Sequence, residues 1–131
     1  MTSRVASDLE ALCDEAVKMG VTHAVTFNAN KIVVDERVLL KCQVPLCDDY
    51  GVNLMCPPNV MPPNEFRKIL RRYKWAILMQ MDLPLSETVM NVVREETSLK
   101  NVFKRREYSE TYRKEILPTM RKFHAIVNRI E

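Results

Sequence analysis

The chain has 131 residues, enough for one hydrophobic core. Its 47% hydrophobic and 28% charged content is that of a folded protein and excludes a disordered chain. A formal charge of +3 neither demands nor excludes an anionic partner.

From Ser3 to Met19 the apolar residues Val5, Leu9, Leu12, Cys13, Ala16 and Val17 recur at helical spacing, and Gly20 supplies a helix stop. This acidic, amphipathic start lacks a charged n-region followed by an apolar stretch, so it is not a secretory signal. No apolar run reaches the roughly 18 residues of a membrane span. A cytoplasmic location and no membrane partner are therefore expected.

Val21–Phe27 is rich in β-branched residues and reads as a strand, followed by a turn at Asn28-Ala29-Asn30. His23 within it is expected to be structural. Lys31–Leu40 carries two further short β-rich pieces around Asp35-Glu36-Arg37, the second of which would deliver Cys42.

Lys41–Pro63, KCQVPLCDDYGVNLMCPPNVMPP, holds three of the four cysteines, five of the seven prolines and one of the two glycines. Proline fixes φ and removes a donor, and glycine admits angles that other residues avoid, so this stretch is an irregular loop. Pro62-Pro63-Asn64-Glu65 then opens a helix with Phe66, Ile69, Leu70 and Tyr73 on its apolar face. Arg67, Lys68, Arg71, Arg72 and Lys74 read as a solvated face rather than a nucleic-acid surface, because acidic neighbours such as Glu65 dilute the field. Trp75–Leu83 reads as a strand buried on both faces.

Ser86 is an N-cap for a helix carrying Val89, Met90 and Val93. Residues Glu95 to Tyr108 are polar and poorly periodic, and a loop, a bent helix or a mobile region all fit them. A last helix spans Ser109 to Ile130, with Pro118 expected to kink or interrupt it. The economical arrangement is an α/β domain over residues 1–131. It has a small mixed or parallel sheet of about three strands, helices packed on it, and the cysteine-rich loop.

The chemistry lies in Cys42-x4-Cys47-x8-Cys56. In a chain without export signals, grouped thiols bind metal or do redox work more often than they form disulfides. Zinc sites usually show two close pairs, which are absent here. Iron–sulfur sites use tight cysteine groups, with proline following cysteine as a recurring companion, as in Cys56-Pro57-Pro58. The expected cofactor is an iron–sulfur cluster of the [4Fe–4S] type, with zinc as the alternative. The fourth position is open or is filled by Cys13, His124, Asp48, Asp49 or another chain. Cys13, between Leu12 and Ala16, reads as a small core residue.

Cys42, Cys47, Tyr50-Gly51 and Cys56-Pro57-Pro58 resemble the signature of the predicted metal-binding proteins described as domain of unknown function 2284. The similarity covers about Leu9 to Ile130. It implies metal or iron–sulfur binding without an agreed reaction. Family members typically continue into a second cysteine-rich segment, whereas this sequence stops at Glu131, which marks a short member or an N-terminal fragment.

Three functions compete. The first is a redox or cofactor-handling module that serves a protein or redox partner. The second is a structural zinc domain for protein–protein contact, and the third a nucleic-acid binder. Whether the protein is an enzyme stays open: the two glycines make no phosphate loop, and no catalytic set follows from spacing. Neither the reaction nor the oligomeric state is legible.

Overall fold

The computed structural model describes residues 3–131. The chain divides into two compact units, one of Met1–Thr26 with Ile77–Glu131 and one of Phe27–Ala76. Two strands, β1 (His23–Asn28) and β2 (Trp75–Gln80), pair into one sheet. Thr22 N–H donates to the Gln80 carbonyl at 2.7 Å and Ala29 N–H to that of Lys74 at 2.9 Å. Partners that run up one strand and down the other make the pair antiparallel.

The mixed α/β class expected from sequence is the one observed, with an antiparallel pair of two strands where a mixed or parallel sheet of about three was expected. Lys31–Leu40 supplies no strand. Ala29–Lys31 is a 3₁₀ turn capped by the Asn28 side chain, and Glu36–Leu39 is another capped by Asp35. Asp35 and Asn28 each accept a backbone N–H two residues on, an alternative to ladder pairing that β-branched neighbours cannot outweigh without a partner strand. Cys42 therefore sits on the single helical turn α2 (Leu40–Gln43), not at a strand end. β2 also differs from expectation, because Leu78 is 59% exposed and only one face is covered.

In the first unit, α1 (Ser3–Met19) ends at Gly20, whose φ of +118° suits a residue without Cβ. A Cβ there would lie 2.7 Å from the Lys122 ammonium. The core centres on Ala16, Val21 and Ile126, with Met19, Ala24, Met79, Met81, Phe123 and Ile130 packed around them. After β2, α4 (Glu87–Glu95) starts at Ser86, whose hydroxyl accepts from Val89 N–H at 3.3 Å. Residues 95–108, aperiodic in sequence, hold α5 (Leu99–Lys104) and the start of α6 (Arg106–Thr111). Arg105 joins them and reaches Glu96 at 3.2 Å, Glu95 at 3.5 Å and Glu107 at 3.7 Å. Phe103 packs edge-on against Tyr108 and Tyr112, at 5.1 and 5.0 Å between ring centres.

The expected interruption at Pro118 is present. A π-helical turn over Tyr112–Ile116 precedes α7 (Leu117–Ile130), which carries Pro118 in its first turn. There the missing N–H is tolerated. No described helix is long and apolar enough to cross a membrane.

Candidate metal-binding loop

The loop lies wholly in the second unit, between α2 and α3 (Pro63–Leu70). Its backbone bonds form a chain of turns, and each cysteine anchors one of them. Cys47 N–H donates to the Cys42 carbonyl at 2.9 Å, with a bridge between Gln43 and Leu46 just inside. Tyr50 N–H returns to the Cys47 carbonyl at 3.0 Å. Cys56 N–H donates to Asn53, and the Cys56 carbonyl accepts from Asn59 N–H, both at 3.0 Å. Gly51, at φ +74°, donates to the Pro57 carbonyl at 2.8 Å and ties the middle turn to the residue after Cys56. This left-handed angle makes a sharp turn at Tyr50-Gly51, one that glycine adopts without a Cβ penalty.

Side chains tighten the same knot. Asn53 Oδ1 accepts from Met55 N–H at 2.9 Å, Asn59 Nδ2 donates to the Asn53 carbonyl at 3.2 Å, and Gln43 Nε2 donates to the Tyr50 hydroxyl at 3.4 Å. The Val44–Pro45 and Pro57–Pro58 peptide bonds are cis.

Cys42, Cys47 and Cys56 are free thiols, all half-buried. Burial pushes the Cys56 thiol above its ordinary pKa, and the charges of Asp49, Cys47 and Cys42 raise it further. All three cysteines thus lie on one hydrogen-bonded run of turns. Their donor chemistry suits a soft metal or a cluster. Among the described residues, no three His, Cys, Asp or Glu side chains form a ready-made metal shell.

Asp48 and Asp49 are exposed on the turn, where the Asp49 carbonyl accepts from Val52 and Asn53 N–H at 3.1 and 3.0 Å. Cys13 lies half-buried on α1, and burial, then Asp14 and Glu10, raises its pKa. His124 is on α7, and both belong to the first unit. His23 is exposed on β1.

Sequence reasoning missed how much apolar surface this region shows. Val33 is 87% exposed, Leu54 81%, Val52 76% and Val44 73%. Their dispersal between turn formers was the available signal, since no periodic stripe could bury them. A proline-rich hollow of about 140 Å³ also flanks the loop, between Gln43, Tyr50, Pro57 and Pro58 on one side and Val60 to Pro63 on the other.

Taken together, these features define a small mixed α/β protein that carries three free, half-buried thiols on a hydrogen-bonded turn region. The sequence profile of the predicted metal-binding proteins, domain of unknown function 2284 (DUF2284), matches residues 25–129, and the chain belongs to that family. No curated protein and no solved structure matches it significantly.

Proposed function

We propose that Cys42, Cys47 and Cys56 hold an iron–sulfur cluster of the [4Fe–4S] type in an electron-transfer or cofactor-handling role. One observation carries the reading: Cys42, Cys47 and Cys56 are free, half-buried thiols held on one hydrogen-bonded set of turns. Membership of a predicted metal-binding family supports the metal. The choice of cluster over zinc rests on the absence of paired C-x2-C spacing and on proline following Cys56.

Such a cluster would supply one-electron chemistry when bound. The chain's own contribution is the thiolate set and the turns that hold it: α2 carries Cys42, the Cys42–Cys47 hydrogen bond fixes the spacing, and the Gly51–Pro57 bond draws the Cys56 arm alongside. Three thiolates leave one position for a further ligand, from this chain or from a partner. Exposed Val44, Val52 and Leu54 beside the thiols support a protein or redox partner that covers the loop. Four free thiols fit a reducing, cytoplasmic setting.

Anaerobic preparations of the protein and of Cys42→Ser, Cys47→Ser and Cys56→Ser test the ligand set. Each substitution is expected to lower bound metal and visible absorbance, whereas Cys13→Ser leaves both unchanged. Unchanged metal content in all three loop variants would remove the proposal. A colourless protein with stoichiometric zinc would keep the ligands and replace the cluster.

A further inference from the structure

A second concave site lies in the same unit, away from the thiols in sequence. It is a cleft of about 350 Å³ between the segment after β1 and the C-terminal half of α3. That volume is near the lower end for small-molecule sites. Ile32, Val34 and Leu70 form its apolar walls, and Asn30, Arg67 and Arg71 bring polar groups to it.

The two arginines differ in their partners. Arg67 is already engaged: its Nη1 meets Glu36 Oε1 at 2.8 Å and its Nη2 donates to the Val34 carbonyl at 2.8 Å. These bonds lock the wall formed by residues 34–36 against α3. Arg71, one helical turn further on, has no ion pair and no side-chain hydrogen bond among the described residues. With Glu36 offsetting Arg67, the cleft keeps one uncompensated positive charge, beside four aliphatic side chains, Ala29 among them, and one amide.

We propose that this cleft binds a small aliphatic monocarboxylate, its carboxylate against Arg71 and its chain on Ile32, Val34 and Leu70. A guanidinium presents a planar fork of donors that matches a carboxylate in a two-point contact. The Asn30 amide lies at the same rim and offers a further donor. A single net charge suits a monoanion better than phosphate. Walls without an aromatic ring favour an alkyl chain over a stacked base. The site is independent of the metal reading, because none of its lining residues is a cysteine or borders one in sequence.

The test is a titration of the isotope-labelled protein at constant ionic strength, followed by backbone amide shifts, with hexanoate, hexanamide and inorganic phosphate as separate probes. Hexanoate is expected to give saturable shifts confined to residues 29–34 and 67–71. Hexanamide and phosphate are each expected to bind about tenfold more weakly or worse, the scale of one lost charge-assisted contact. Arg71→Gln should weaken hexanoate by a similar factor. Arg71 is exposed, so its replacement should leave the remaining spectrum in place. Absence of saturable shifts, comparable binding of hexanamide or phosphate, or an Arg71→Gln variant that binds hexanoate as before would each overturn the assignment.

Discussion

Gly20 is where a single residue decides the geometry of the first unit. Its φ of +118° is rarely open to L side chains, so Gly20→Ala should cost about 1–3 kcal/mol, read as a lower denaturant midpoint. The close approach of Lys122 involves the far end of a flexible side chain, so adding Lys122→Ala should recover little of the loss. Full recovery in the double variant would show that the contact, rather than the backbone, sets the cost. Glu36 acts through charge. Its hydrogen bond from Arg67 holds the carboxyl below its ordinary value of 4.5. A lowered folded pKa stabilises the protein above the unfolded value, and the benefit disappears as pH falls through the folded one. Glu36→Gln should therefore narrow its stability deficit relative to the native protein below about pH 4.5, the deficit at neutral pH being small because both groups are solvated. A deficit that is constant with pH would refute this.

At the scale of elements, local chemistry was legible wherever it acted alone. The Ser3–Met19 periodicity, the Gly20 stop, the Ser86 cap and the Pro118 interruption all appear where their residue types place them. Ser86→Ala should accordingly destabilise the protein by about 1 kcal/mol, since Val89 N–H loses its acceptor. Thermal melts that show no change would mean that solvent serves the cap equally well. What was not legible depends on partners distant in sequence. Ile32, Val33 and Val34 have strand-forming side chains, yet no third strand is present among the described residues to pair with them, and the Asp35 cap turns the chain instead. An intervening helix suggested parallel strands, but the route back through α2, the loop and α3 leaves β2 antiparallel to β1. Arg105 shows the same limit: its three glutamates organise residues 95–108 without leaving a hydrophobic period.

Across the whole molecule, the buried core cluster and the three-cysteine loop fall in different units. Ile126 lies in the buried cluster with Ala16 and Val21, so Ile126→Ala should cost about 2–5 kcal/mol. Leu54, on the thiol-bearing loop, is 81% exposed, and Leu54→Ala should change stability by less than about 0.5 kcal/mol. Equal losses in chemical denaturation would contradict that division. The candidate site was legible as a set of residues, because three cysteines among prolines mark a loop that packing alone does not explain. Its wiring was not: the Gly51–Pro57 and Cys42–Cys47 bonds depend on how successive turns close, which residue types alone leave undetermined. The measurement that bears most directly on the metal claim is iron, zinc and acid-labile sulfide quantified per chain after anaerobic preparation. The account predicts iron and sulfide in equal amounts, about four of each per chain for a fully loaded [4Fe–4S] cluster. Zinc without sulfide, or no metal bound at all, would contradict it.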